Sequence, residues 1–349
     1  MLPRRMLTFI MIVAMVLVIS CGQPASEPKP PKIRVAGAGA TFPYPLYKVW
    51  IQDYQKAHPE VSIHYEPVGS GEGVRRFVKQ EVDFGASDAA MSDEEMAKVE
   101  RKAKLIPTTA GIVVLAYNLK GVTGVLKLPR EVYVAIFTGD IKKWDYPRIK
   151  QANPELQLPS LNIIPVTRAD SSGTTFAFTN HLSAISKDWR DRGPGVGKLV
   201  RWPTHAMSAR WNEGVAGRIK ITDGAIGYME YGYAQRAGLG MAALENKAGK
   251  FIKPSPKFGQ ATLTNTQSDM PANLRMFFPD PPGEDSYPIV TYSWILLYGN
   301  YPDQKNGGVL KDFVKWGITD GQKHSESLGF CSLPPRIREL GAKAIGEIQ

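Results

Sequence analysis

Cysteine is almost absent from this chain: Cys21 and Cys331 are its only two. With Cys21 modified, no intrachain disulfide can close, and Cys331 then reads as a packed hydrophobe rather than a nucleophile. Histidine is scarce too, and His58, His64, His181, His205 and His324 show no metal-ligand spacing, so no metal is expected. There is no Walker A sequence, which removes the P-loop nucleotide enzymes. Gly37-Ala38-Gly39 is followed by Phe42 where a dinucleotide fingerprint needs its third glycine, and no acidic ribose partner stands out. Neither Ser171 nor Ser172 sits in a G-x-S-x-G elbow, so a serine hydrolase is not indicated. The formal net charge is +10, but lysine and arginine are dispersed and never form a basic run interleaved with aromatics. Nucleic acid is therefore excluded as a partner, while capture of small anions is modestly favoured. No solenoid-period repeat is present.

Long apolar runs are also missing, with one exception at the start. Arg4 and Arg5 precede Leu7 through Ile19, a stretch too short for a comfortable membrane span. Val18-Ile19-Ser20-Cys21-Gly22 resembles the bacterial lipobox, in which the cysteine becomes the lipidated first residue; the alternative is an ordinary signal peptide with an incidental cysteine. Residues 1–20 are thus expected to be a lipoprotein signal peptide and Cys21 the attachment point. Residues 21–32 are Pro-rich and aperiodic, a tether reaching at most about 30 Å at polyproline pitch. The expected location is the cell envelope, lipid-anchored to a membrane and facing the periplasm or exterior.

Beyond the tether, short apolar runs alternate with amphipathic stretches, the pattern of an α/β fold. Ile33–Ala36, Val61–Tyr65 and Val82–Ala86 read as strands. Between the first two, a helix is expected to bury Leu46, Val49, Trp50 and Tyr54 and to end at His58-Pro59. Gly69–Gly73 reads as a loop before a short helix with Val74, Phe77 and Val78 inward, and Ser92 with Glu95 has capping-box spacing. Gly111–Tyr117 and Ile289–Tyr298 are strand candidates far apart in sequence, enclosing a block with its own strands at Ile163–Arg168 and Ala225–Met229. Two chain crossings around such an insertion predict two α/β lobes joined by a two-strand hinge, with the ligand cleft between them. The expected division is 33–112 plus 288–349 for one lobe and 113–287 for the other.

One segment carries the most chemistry. Thr167-Arg168-Ala169-Asp170-Ser171-Ser172-Gly173-Thr174-Thr175 sets a fixed cation, a carboxylate and several hydroxyls between an apolar strand and a helix marked by Phe176, Phe178 and Leu182. Free backbone N–H groups and the positive dipole end of a helix N-terminus favour an anion there. The arginine fork matches a tetrahedral oxyanion. The alternative is simple capping beside a surface Arg–Asp pair. Three further loops place small or hydroxyl residues after a strand: Gly39 to Pro43, Gly69 to Gly73 and Ala86 to Ala90. Ligands of open α/β sheets bind at such strand ends.

With these segments in hand, the chain resembles the phosphate-binding proteins that serve the Pst-type ABC importer. The resemblance is carried by Ala36 to Pro43, Val82 to Asp88, Ile141 to Asp145, Arg168 to Thr174 and Gly224 to Tyr228, and runs along nearly the whole mature chain. It implies a periplasmic-binding-protein fold closing on one inorganic phosphate, and permease subunits as partners. By the same resemblance Thr41, Phe42 and Ser70 would donate hydrogen bonds from one lobe, and Asp88 would be the ligand-facing carboxylate. Arg168, Ser172, Gly173 and Thr174 would come from the other lobe, with Asp170 holding Arg168. Ser171 departs from the pattern, since a second glycine is common there; its hydroxyl either adds a bond or caps the turn. Trp211, before Asn212-Glu213-Gly214, is also bulkier than the pattern.

A buried carboxylate beside an anion is repulsive unless the ligand brings a proton to share. Hydrogen phosphate and dihydrogen phosphate carry one; sulfate at neutral pH does not. The alternative role for Asp88 is a helix N-cap. The chain is therefore read as a monomeric, non-enzymatic phosphate receptor without cofactor. Receptors for sulfate or molybdate are the nearest rivals, and an exported phosphoester hydrolase is the rival from another class.

Overall fold

The computed structural model describes residues 32–203 and 205–349, so the leader, Cys21 and nearly all of the tether lie outside the described residues. In chain order the elements that frame the site begin with β1 (Ile33–Gly39), α1 (Tyr44–Ala57), β2 (Val61–Pro67), α2 (Ser70–Val78), β3 (Phe84–Ser87) and α3 (Asp93–Ala97). They continue with β4 (Ala103–Tyr117), β5 (Ile164–Arg168), α4 (Gly173–Ile185), β6 (Met207–Ala209), α5 (Trp211–Ile221), β7 (Ala225–Glu230), α6 (Tyr231–Ala237) and β8 (Val290–Tyr298). The strands follow one path in the order β2-β1-β3-β8-β4-β7-β5-β6.

Strands β1, β2 and β3 run parallel, as do β5, β6 and β7, whereas β8 is antiparallel to both of its neighbours. The long strand β4 joins the two parallel groups. Its residues Ala103–Ile112, Thr108 excepted, pair with β8, and Val113–Tyr117 pair with β7. Being flanked on both sides, it is buried along almost its whole length, which is why it reads as a near-continuous apolar run. It begins eight residues before the predicted Gly111, because Lys104 and Pro107 break the apolar signal there.

Helix α1 buries Leu46, Tyr47, Trp50 and Tyr54 along one stripe. Tyr47 takes the inward place expected for Val49, which is only half-buried. The capping box at Ser92 forms in both directions: Glu95 N donates to Ser92 Oγ (3.2 Å) and Ser92 N to Glu95 Oε2 (3.0 Å). The Gly69–Gly73 stretch is not a loop but the first turn of α2. Its N-cap, Gly69, has φ +103°, a backbone state that favours glycine. No helix among the described residues is long and apolar enough to cross a membrane.

Candidate functional site

The parallel strands of the first group end together. Gly69 N donates to Gly39 O (2.8 Å) and Ala40 N to Ala86 O (2.9 Å), which brings Thr41, Ser70 and Asp88 to one point. Phe42 is fully buried, with its ring edge-on to Phe330 at 6.1 Å, so its side chain serves the core. Asp88 is 2 % exposed. Ser293 Oγ donates to its Oδ1 (2.9 Å), Ser70 Oγ lies 3.4 Å from its Oδ2, and Asp88 N donates to Ser70 Oγ (3.2 Å). Burial pushes the carboxyl up to about 7, against the opposing pull of Ser293, Arg168, Ser70 and Thr174.

From the second group, β5 delivers Arg168, which is 3 % exposed. Its Nε donates to Asp170 Oδ1 (2.8 Å), its Nη2 to Oδ2 of the same carboxylate, and its Nη1 reaches Thr174 Oγ1 (3.5 Å). Trp211 N also donates to Asp170 Oδ1 (2.9 Å). Burial alone would raise the Asp170 carboxyl, but the Arg168 fork and charge and the Trp211 amide together hold it below the ordinary carboxylate value. Ser172 caps α4: its Oγ accepts from Thr175 N (3.2 Å) and its own N–H donates to Lys198 O (2.6 Å). The first amides of α4, at Gly173 and Thr174, have no intrahelical acceptor and point out of the helix end.

These two sets of residues meet. Gly71 N donates to Ser171 O (2.9 Å), and a Cβ on Gly71 would fall 1.9 Å from Ser171 Oγ. A Cβ on Gly173 would fall 2.7 Å from both Asp88 Cβ and Ser70 Oγ. Side chains also cross: Asn212 Nδ2 donates to Thr41 Oγ1 (2.9 Å), Tyr233 OH to Thr41 O (2.8 Å), and Lys198 pairs with Glu95. Thr41, Ser70, Asp88, Arg168, Ser172 and Thr174 are each under 5 % exposed, so the site is closed to solvent.

Its donor inventory is one-sided. Thr41, Ser172 and Thr174 each have a lone pair occupied by a protein N–H, which leaves their hydroxyl protons to give, whereas the Ser70 hydroxyl is directed at Asp88 Oδ2 (3.4 Å). Together with the guanidinium and the α4 amides they form a set of donors gathered about Asp88. Asp88 is the one carboxylate among them that lacks a bidentate partner.

The site residues expected from sequence within 32–349 lie in this cluster, except that Phe42, next to Thr41 in sequence, turns its ring into the core against Phe330. Ser171 stands over Gly71 across the meeting face rather than along a helix cap. Trp211 is 40 % exposed and donates its indole N–H to Val68 O (3.3 Å), so its bulk bridges the rim from outside. Sequence reasoning missed Ser293, Asn212, Tyr228 and Tyr233. Tyr228 OH accepts from Arg168 N (3.1 Å) and bonds Thr175 Oγ1 (2.8 Å); the segment Gly224 to Tyr228 carries part of the resemblance, but nothing in it assigns Tyr228 a role at the site. Cys331 is buried, its thiol pushed well up by burial. Among the described residues no group of three or more His, Cys, Asp or Glu is placed to hold a metal.

A family model described as a PBP superfamily domain matches residues 24–320. Phosphate-binding protein PstS of Methanocaldococcus jannaschii is 36% identical, covering 97% of this chain and 94% of its own. The protein of the same name from Pasteurella multocida is 37% identical, covering 87% of each chain. Among solved structures, the high-affinity periplasmic phosphate-binding protein PfluDING, bound with phosphate, superposes with a TM-score of 0.71 at 20% identity, covering 88% of this chain and 92% of that one. A phosphate-binding protein from Stenotrophomonas maltophilia gives 0.70 at 19% identity, covering 89% and 93%. At these identities the two structures speak to the fold alone.

Proposed function

The chain belongs to the PBP superfamily and, within it, to the PstS phosphate-binding proteins, and we propose that it captures inorganic phosphate in this closed site and delivers it to the permease of an ABC importer. The observation that carries the reading is the composition of the site: hydroxyl, guanidinium and amide donors gathered with Asp88 as the one carboxylate that no cation pairs with two-pronged. A fully deprotonated oxyanion would face Asp88 charge to charge, whereas phosphate offers it a P–O–H. A site that demands a ligand hydrogen rejects the analogue lacking it by up to about 10⁴–10⁵-fold. The other site atoms would bind and orient: Arg168, itself held by Asp170, supplies the compensating charge, and the α4 amides with Thr174 complete the cradle.

Capture and release require the two groups of strands to part. We place the lobes at 33–112 plus 288–349 and at 113–287, which the change of partner along β4 at Ile112/Val113 supports. Thr41, Ser70 and Asp88 then belong to one lobe and Arg168, Ser172, Gly173 and Thr174 to the other, so phosphate closes the clamp that holds it. Attachment through acylated Cys21 would keep the receptor at the membrane beside its permease; fatty-acid labelling must vanish in Cys21→Ala, and retained label removes the anchor.

Calorimetric titration of the purified protein at neutral pH tests the ligand. Phosphate and its shape analogue arsenate are expected to bind, and sulfate and molybdate to bind far more weakly. Sulfate binding as tight as phosphate would overturn the assignment.

A further inference from the structure

One buried hydroxyl touches the site yet belongs to none of the segments that mark it. Ser293 lies on β8, fully buried, with its Oγ 2.9 Å from Asp88 Oδ1. Its aim comes from a break in the sheet. Along β4 and β8 the register runs Ser293 opposite Thr109 and then Trp294 opposite Pro107, leaving Thr108 without a partner. That is a β-bulge, and Pro107, which has no N–H to give a ladder, sits where bulges tolerate proline. The extra residue is not idle. Thr108 Oγ1 donates to Ser293 O (3.1 Å) and bonds Tyr47 OH (2.6 Å), both buried, so the bulged backbone is pinned from behind. On its other side β8 pairs with β3, Trp294 opposite Ser87, which sets Ser293 next to the residue that follows β3, Asp88.

We propose that Ser293 is a positioning and specificity-determining residue for the oxyanion site: aimed by the bulge, its hydroxyl donates to Oδ1 of Asp88, so that Oδ2 is the oxygen turned to the ligand and the carboxylate is kept as an acceptor. This rests on the phosphate reading of the site. An ionised carboxylate can only accept, so a serine proton on Oδ1 stabilises that form, and a protonated Asp88 gains less from the same contact. Among the groups holding Asp88 charged, Ser293 is the foremost. The other groups facing Asp88 are Arg168 with Thr174 from the α4 side, Ser70 from α2, and, by charge, Tyr47 of α1, Tyr65 of β2 and Glu230 of β7. Ser293 Oγ is hydrogen-bonded to Oδ1 at 2.9 Å, while the Ser70 hydroxyl lies on the Oδ2 side at 3.4 Å, a longer contact that leaves Oδ2 with a lone pair for the ligand.

Sulfate reads out the state of Asp88. A protonated Asp88 donates to sulfate, while an ionised one repels it, so sulfate binding should strengthen as pH falls through the titration of Asp88. Losing one hydrogen bond to a charge is equivalent to about one to two pH units. The experiment is calorimetric titration of sulfate and of phosphate from pH 5 to 9 on the wild-type protein, Ser293→Ala, Ser293→Thr and Ser293→Cys. In Ser293→Ala the midpoint of sulfate binding is expected to move up by about one pH unit. Sulfate then binds several-fold tighter at pH 7, while phosphate changes less than about tenfold. Ser293→Thr restores the wild-type midpoint, and Ser293→Cys, a weak donor, falls between. A folded Ser293→Ala or Ser293→Cys that binds phosphate with an unmoved sulfate midpoint would overturn the role, as would wild-type sulfate binding flat with pH. Wild-type protein that prefers sulfate at pH 7 would instead sink the phosphate reading itself, so the two failures are distinguishable.

Discussion

Asp88 and Asp170 are two nearly buried carboxylates on opposite sides of one site, and their surroundings send them in opposite directions. Asp170 receives a two-pronged guanidinium and the Trp211 amide, and it is held ionised below the ordinary carboxylate value. Asp88 receives single hydroxyls from Ser293 and Ser70, and its burial goes largely uncompensated, so its carboxyl rises to about 7. A full charge in fork geometry outweighs desolvation; one or two neutral hydroxyls do not. The lesson is about division of labour. Asp170 is engaged by Arg168 and fixes the guanidinium in place, whereas Asp88 keeps the higher affinity for a proton.

The widest gap between the two should appear in stability against pH without ligand. Asp170 holds its proton less tightly folded than unfolded, so its contribution is present above the ordinary carboxylate range and lost on acidification. Asp88 and Glu230, raised to about 7 and about 8, hold theirs more tightly when folded. Their contribution is full below about pH 4 and is lost as pH rises through 7 and 8. Asp88 alone is expected to account for a loss on the order of 3–4 kcal/mol between about pH 4 and pH 7. Denaturant unfolding at stepped pH measures it, and Asp88→Asn should flatten that part of the curve. A stability that climbs steadily to pH 8 would erase the contrast.

Next in size is the loss of the pair. Arg168→Ala strips the site of its positive charge and leaves Asp170 buried without its partner. Every oxyanion is expected to bind at least about 100-fold more weakly, about 3 kcal/mol, with a lowered melting temperature as well. Calorimetry with phosphate and sulfate checks it; a variant that lost only one of the two ligands would place discrimination on the Arg168 side and reverse the assignment made here.

The smallest effect, and the most selective, belongs to Asp88→Asn. The amide keeps the shape, removes a repulsive charge and can donate. Phosphate should still bind, while the sulfate-to-phosphate affinity ratio rises about tenfold, roughly 1.4 kcal/mol. Titration of both ligands at pH 7 measures the ratio. If it stayed constant, Asp88 would be a structural cap and selectivity would reside elsewhere.

How much of this could be read beforehand depends on distance along the chain. The Arg168–Asp170 pair lies two residues apart, and Ser172 caps an amide three residues on, so spacing alone brings them together. The capping box at Ser92 is legible for the same reason. Short-range hydrogen bonds need only local dihedrals, and those follow from residue type. The start of β4 is not legible because Lys104 and Pro107 look wrong for a strand until β8 lies alongside, which buries Pro107 and leaves Lys104 half-exposed beside Glu347.

What the sequence by itself determined, then, was the alternation of strands and helices, the Arg168–Thr174 turn at α4 and the small residues at the strand ends. Only the tertiary structure decided what surrounds Asp88 and Thr41. Ser293 is 205 residues from Asp88, and Asn212 and Tyr233 are 171 and 192 residues from Thr41. Such neighbours are chosen by strand order, by register and by one bulge in β4, and a one-residue slip would turn Ser293 to the opposite face of the sheet. That register is a property of the whole sheet and the helices packed on it, and no local stretch of residues carries it.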